Sequence, residues 1–305
     1  MRCLIVIVGP TAVGKSRLAI RLAQTFGGEI VSADSRQVYR YMDIGTAKPS
    51  PEERALVPHH LIDIVDPDQE LGLALYQNMA YHAIEDILGR DRLPILVGGS
   101  GLYVRAVVEG WRIPNIPPNA ELRQSLAIRA KAEGCTVLYN ELMELDPVAA
   151  RRIDPRNVRR VIRAIEVCRG AGEPFSQLQR REPPPFQILT IGLTADRERL
   201  YQRIDSRVDM MIRQGLVEEV EGLVEKGYTF DLPSMSGIGY RQIGWYLLGK
   251  LKLESAIQEI KFQTHRFARH QYAWFRLEDE RIEWFDIGEK FEEPIQSLVR
   301  GFIGS

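Results

Sequence analysis

Apolar residues run unbroken from Cys3 to Val8 and stop at Gly9. A run of six, rich in Ile and Val, fits a strand buried on both faces, as in a parallel sheet. The period then changes. Over residues 16–26, Leu18, Ala19, Leu22 and Ala23 share one face of a helix, and Gly27 and Gly28 stop it. Residues 29–33 read as a second strand ending at Asp34, 75–88 as a helix, and 94–97 as a third strand running into Gly98 and Gly99. Strand, helix, strand, helix, strand is the order of a parallel sheet with helices on its faces.

Pro114, Pro117 and Pro118 mark a break. From residue 121 to about 179 only helical patterns occur, closed by Pro183, Pro184 and Pro185. Residues 187–193 then read as another core strand. The rest is mostly helical, over 197–226, 237–248 and 255–275, with a final strand near 281–285. We therefore expect an α/β core of residues 1–112 and 186–305, interrupted by a helical domain of residues 113–185.

Composition narrows the function. The chain has 305 residues, 45% hydrophobic and 27% charged, with a net charge of −1. Any nucleic-acid surface is then a local patch. The inserted stretch offers one: residues 151–181 hold nine arginines, no lysine and three acids. Arg156, Arg159, Arg160 and Arg163 have the spacing of one basic helical stripe. Phosphates bind such stripes, and guanidinium planes stack on unpaired bases. Cys3, Cys135 and Cys168 are scattered and odd in number, which argues against a disulfide framework or a cysteine-built metal site. The apolar run at residues 3–8 is too short to span a bilayer and lacks a signal-peptide layout. The expectation is a cytoplasmic protein without membrane association.

The chemistry starts at GPTAVGKS, residues 9–16, which fits G-x-x-x-x-G-K-[ST] between a strand and a helix. The glycines let the loop of Gly9, Pro10, Thr11, Ala12, Val13 and Gly14 turn its backbone N–H groups inward. Lys15 adds charge, and Ser16 can hold Mg²⁺. This predicts a P-loop NTPase-like core that binds a di- or triphosphate. An NTPase or kinase usually has an aspartate ending a later strand. Residues 94–97 end in GGSG, with no acid. Asp34 is the only acid so placed in the first hundred residues, and strand C-termini line one crevice, so Asp34 and Lys15 should share it.

The motifs then become specific. After the phosphate loop come SADSRQVY at 32–39, DIGTAKP at 43–49, PHHLID at 58–63 and GGSGLY at 98–103. RRVIRAIE at 159–166, GIGYRQ at 237–242 and RHQYAWFR at 269–276 follow. This ordered series resembles the tRNA dimethylallyltransferases, or tRNA isopentenyltransferases, over almost the whole chain. The resemblance implies transfer of a dimethylallyl group from dimethylallyl diphosphate to N6 of the adenosine 3′-adjacent to the anticodon, position 37, of tRNA. It implies Asp34 as the base at N6 and Thr11 as a catalytic-site residue that donates to a diphosphate oxygen. It also implies tRNA contacts at Asp34, Ser35, Arg36, Gln37, Ser100, Arg123, Arg159, Arg160 and Arg163, with a monomer as the working unit. The chain departs from the family at Ser100, where threonine is usual, and at His265 and His270, where arginine is usual. Three scattered cysteines cannot supply the C-terminal zinc finger of eukaryotic members.

The reaction suits a site without a second strand-end acid, because no phosphoryl group moves. Arg203 and Arg207 lie four apart on one helical face and can clamp the diphosphate, unless Glu198, Asp205 or Asp209 pairs with them. His59 and His60 lack further ligands at metal-binding spacing, so a hydrogen-bonding role is expected. Trp245, Trp274 and Phe275 are expected to pack the core. Other readings are a small-molecule kinase, an adenylate isopentenyltransferase and a GTP switch. The kinase explains neither the arginine-rich insertion nor the missing acid. The adenylate enzyme would not need the insertion, and the N/T-K-x-D guanine-reading motif of a GTP switch is absent from the sequence.

Overall fold

Six strands form one parallel sheet, and β1 (Cys3–Val8) lies inside it. Its partners are β2 (Gly28–Ser32), β3 (His59–His60), β4 (Leu93–Val97), β7 (Gln187–Thr194) and β8 (Ile282–Asp286), in the order β3-β2-β4-β1-β7-β8. Strands β5 (Trp111–Arg112) and β6 (Arg180–Arg181) form a separate antiparallel pair. This is a computed structural model, and it describes residues 2–114, 116, 119–178 and 180–304. Pro117, Pro118 and Gln179, used above to bound the helical stretch, lie outside the described residues.

The apolar run of β1 has a simple cause. Leu4, Val6 and Val8 enter one core cluster, with Val31 and Leu96 of the neighbouring strands. Ile5 and Ile7 enter a second, with Ile30 and Ile95. Alternate side chains therefore fill opposite faces, and no position is left for a polar residue.

The helices of the first half are α1 (Lys15–Phe26), α2 (Pro51–Leu56), α3 (Leu73–Gly89) and α4 (Gly101–Val108). Next come α5 (Ala120–Glu133), α6 (Cys135–Leu145), α7 (Pro147–Ala150), α8 (Val158–Ala171) and α9 (Phe175–Leu178). The last are α10 (Arg197–Arg213), α11 (Leu216–Glu225), α12 (Tyr240–Leu247), α13 (Leu253–Trp274) and α14 (Glu292–Gly304). Among the described residues no helix is long and apolar enough to cross a membrane.

The chain divides into two compact units, residues 1–108 with 184–305, and residues 109–183. The first holds the sheet and a P-loop NTPase-like core. The second is helical, around Leu126, Leu138, Leu142, Val161 and Ile165, plus the β5–β6 pair.

Three expectations need correction. The helix expected over 197–226 is two, because Gly215 takes a left-handed conformation (φ +97°) between α10 and α11. Arg156 does not continue the stripe of Arg159, Arg160 and Arg163. It precedes α8, whose cap is Asn157, and its guanidinium grips Asp154 at 2.9 Å. Trp245 is only half-buried, whereas Phe275 is buried and Trp274 packs against the main core.

Buried acids pin the helical unit, among them Glu166. Glu166 accepts from the Asn119 N–H at 2.7 Å, from Arg123 at 2.9 and 3.0 Å, and from Arg163 at 2.5 Å. Burial alone would raise its pKa, but these donors outweigh burial and lower it. Removing one partner of a buried pair costs about 3–5 kcal/mol. Both arginines keep partial solvent contact, so Glu166→Ala should cost about 3 kcal/mol, the low end of that range. Urea unfolding measures it, and an unchanged midpoint would contradict the assignment.

Candidate functional site

The turn after β1 can form only because residue 9 is glycine. Gly9 has φ +137°, and a Cβ there would lie 2.3 Å from the Leu193 carbonyl oxygen in β7. The loop closes at Gly14 (φ +111°), where α1 begins. Val13 turns into the core, whereas Thr11, Ala12, Gly14, Lys15 and Ser16 line an open cleft of about 1770 Å³. Backbone N–H groups at a helix N-terminus favour an anion there.

Lys15 sharpens that preference. Its Nζ donates to the carbonyls of Gly9 (3.1 Å) and Pro10 (2.8 Å). Burial of the ammonium, and then Arg207 beside it, lower the pKa to about 7, while Asp34 pulls the other way. Arg203 Nε donates to the Ala12 carbonyl at 2.8 Å, and Arg207 also lines the cleft. Burial and neighbouring arginines lower the pKa of both. Two of the acids that could have neutralised them are engaged elsewhere: Asp205 lies 2.8 Å from His265 Nε2, and Asp209 pairs with Lys261 at 2.7 Å. Among the described residues, Lys15, Arg203 and Arg207 have no ion-pair partner. Three cations thus surround space suited to a polyanion.

Asp34 lines the same cleft, two residues beyond β2. Its Oδ1 accepts the Arg36 N–H at 2.8 Å. The segment is braced from the loop after β4: the Ser35 N–H donates to Ser100 Oγ at 3.0 Å, and the Ser100 N–H to the Ala33 carbonyl. Gly98 permits this approach, since a Cβ there would sit 2.0 Å from the Ala33 oxygen. Tyr103 stacks on Tyr76 at 3.7 Å between ring centroids and forms an aromatic wall.

The other candidates divide. Arg36 and Gln37 line the cleft, but their side chains already have work. Arg36 donates to the carbonyls of Pro233 (2.9 Å) and Ser234 (3.2 Å). Gln37 donates to Ala47 (3.1 Å) and accepts from Ser32 (3.2 Å). In the helical unit, Arg123 and Arg163 are bound to Glu166, while Arg159 and Arg160 are exposed on α8. His59 and His60 hydrogen-bond to the Val57 carbonyl and Glu29, as strand residues.

Gln271 escaped the sequence reading. It is buried, accepts the Thr11 N–H through Oε1 at 2.8 Å and donates from Nε2 to the Gly99 carbonyl at 3.0 Å. The signal was present: a glutamine on the face that buries Ala256, Ile260 and Ala268 is a buried polar group in need of partners.

For a metal, Ser16 Oγ is a hard oxygen donor on the cleft. Among the described residues no cluster of three or more His, Cys, Asp or Glu suits a metal ion. A lone hydroxyl donor suits a cation such as Mg²⁺, which takes few protein ligands and fills its shell with phosphate oxygens and water.

Comparison with known proteins gives one answer. The IPP transferase family model matches residues 37–278, and the isopentenyl transferase model matches residues 2–59. The tRNA dimethylallyltransferase of Thermomicrobium roseum is 56% identical over 301 residues, 97% of this chain and 91% of its own. That of Roseiflexus castenholzii is 56% identical over 273 residues, 90% and 89% of the two chains. Among solved structures, the tRNA isopentenylpyrophosphate transferase of Bacillus halodurans is 41% identical, with a TM-score of 0.73, over 99% of this chain and 96% of its own. A eukaryotic dimethylallyltransferase acting on tRNA is 30% identical, with a TM-score of 0.78, over 94% and 74%.

Lys15 makes anion binding pH-dependent in a defined direction. Its lowered pKa means that the free protein loses this proton above about pH 7. A bound polyanion favours the ammonium, so binding takes up a proton and weakens as pH rises. Calorimetric affinity for inorganic diphosphate should fall from pH 7 to 9 more steeply than in Lys15→Gln, by at most about one log unit per pH unit. Equal slopes would contradict the assignment.

Proposed function

Because the chain belongs to the IPP transferase family, we infer that it transfers a dimethylallyl group to an adenosine of tRNA. The donor in this reading is dimethylallyl diphosphate, and the acceptor is N6 of the adenosine 3′-adjacent to the anticodon. One observation carries it: Lys15, Arg203 and Arg207, which have no ion-pair partner among the described residues, line the same cleft as the braced carboxylate of Asp34.

The lone pair of N6 attacks C1 of the allyl group. The N6–C1 bond forms, the C1–O bond breaks, and the electron pair leaves on diphosphate. Loop amides, Thr11, Lys15, Arg203 and Arg207 take up the charge that develops on the leaving group. N6 is a poor nucleophile, because its lone pair is delocalised into the ring. Asp34 accepts the N6 proton and makes that pair available. Ser16 would hold Mg²⁺, which when bound adds positive charge at the diphosphate. The adenosine has to leave its stack to enter the cleft. Ser35 and Ser100, next to Asp34, border it, together with the backbone at Arg36 and Gln37. Tyr103 and Trp274 line the cleft and offer it aromatic surface. In this reading a monomer acts on the cytoplasmic tRNA pool.

The helical unit supplies the RNA surface in this reading. Arg159 and Arg160 are exposed cations on α8 without an acid partner among the described residues, and Arg123 and Arg163 are partly exposed beside Glu166. Arg159→Gln with Arg160→Gln should weaken tRNA binding and reduce its log–log salt slope by about one for each phosphate left unneutralised. Diphosphate affinity should not change. An unaltered salt slope would make α8 an ordinary solvated helix face.

Asp34 tests the chemistry. Asp34→Ala and Asp34→Asn should slow single-turnover transfer by about 10²–10⁴-fold while both substrates still bind. Added Mg²⁺ should restore nothing. Recovery of Asp34→Asn by Mg²⁺ would make the residue a metal ligand instead, and near-normal turnover would remove it from catalysis.

A further inference from the structure

Gln271 spends both ends of its side-chain amide on two different loops of the cleft. Oε1 takes the Thr11 N–H at 2.8 Å, and Nε2 gives its hydrogen to the Gly99 carbonyl at 3.0 Å. An N–H only donates and a carbonyl only accepts, so the amide fits one way round. The side chain is 3% exposed, which leaves no water to replace either bond. Gly99 makes room for it: a Cβ there would lie 2.1 Å from Nε2 and 3.7 Å from Lys15 Nζ. The two loops, which follow the paired strands β1 and β4, are therefore bridged beyond the strand ends by this amide.

Each loop leads to one partner of the reaction. Thr11 belongs to the loop that surrounds the diphosphate site. Gly99 precedes Ser100, whose Oγ accepts the Ser35 N–H beside Asp34. The helix that carries Gln271, α13, also meets the arginine helix α10 through Lys261–Asp209 at 2.7 Å. Displacement at an allylic carbon needs nucleophile, carbon and leaving oxygen in line. A misplacement of about 1 Å can cost about 10²-fold in rate. Phosphate-loop amides fix the leaving group and Asp34 fixes the nucleophile, but neither sets the separation of the two.

We propose that Gln271 is a positioning residue that holds the diphosphate loop and the Asp34-bracing loop at the separation in-line transfer requires. The proposal rests on the prenyl-transfer reading above. Gln271 touches no reacting atom in it. Its contribution therefore lies in the rate of the chemical step and not in the binding of either substrate.

The test uses full-length Gln271→Glu and Gln271→Met beside the wild type. Transfer from dimethylallyl diphosphate to tRNA is followed from pH 5.5 to 9, together with thermal midpoints. At pH 8 the Gln271→Glu carboxylate faces the Gly99 carbonyl with no hydrogen to give. Its single-turnover rate should fall by about 10–100-fold, with KM for both substrates within about threefold of wild type. A protonated glutamic acid has the shape of glutamine and restores both bonds. The ratio of Gln271→Glu to wild-type rate should therefore climb as pH falls, because burial against a carbonyl raises the pKa of that acid. Gln271→Met should stay slow at every pH. A pH-independent ratio, a loss confined to KM, or a Met variant as fast as wild type would overturn the proposal. Wild-type protein that transfers nothing would overturn the reading beneath it as well.

Discussion

Lys15 Nζ rests on the carbonyls of Gly9 and Pro10, beside Arg207 and without an ion-pair partner among the described residues. A cation so placed costs free energy until an anion arrives, and the surrounding fold is arranged to keep it there. Gly9 lets the chain leave β1 against the backbone of β7, which aims the loop back over the strand ends. The sheet order brings Asp34, at the end of β2, to the same edge. Asp205 and Asp209 of α10 lie against His265 and Lys261 of α13 and leave Arg203 and Arg207 to the cleft. In the proposed reading the cations meet the leaving diphosphate and Asp34 meets the acceptor.

Backbone contacts carry much of the positioning. Asp34 is braced through Ser35, Ala33 and Arg36 by bonds that involve main-chain groups, and the glycines at 98 and 99 allow the loops to touch. Arg36 and Gln37 follow the same logic. Both sit beside the proposed nucleotide, yet their side chains hold the segments around 233–234 and 46–47. These bonds tie the cleft wall to both segments. His265 lies against Asp205 and stacks on Tyr201 at 4.0 Å, so at that position the imidazole serves the α10–α13 contact.

Local patterning made the central strands and the phosphate loop legible. β1 has the bounds its apolar run implies, and the glycine-lysine-serine motif sits between that strand and α1. What was hidden depends on contacts between distant residues. His59 and His60 form an edge strand only because β2 offers them backbone partners, and two polar rings carry no strand signal. Arg156 fits a helical stripe by spacing, but Asp154 holds it in the turn before α8. The break at Gly215 was written as a glycine inside an otherwise amphipathic stretch, where a helix can also continue. Gln271 looked like one polar residue among aromatics, and its partners are 260 and 172 positions away.

The central claim is that the cationic loop holds a leaving diphosphate while a tRNA adenosine accepts the allyl carbon. Purified protein given Mg²⁺ and dimethylallyl diphosphate labelled in the allyl group, with tRNA, AMP or ATP in parallel, tests it most directly. The account predicts label in tRNA alone, on N6 of one adenosine, with one diphosphate released for each group transferred. Label in AMP or ATP, or release of diphosphate without label in tRNA, would contradict it.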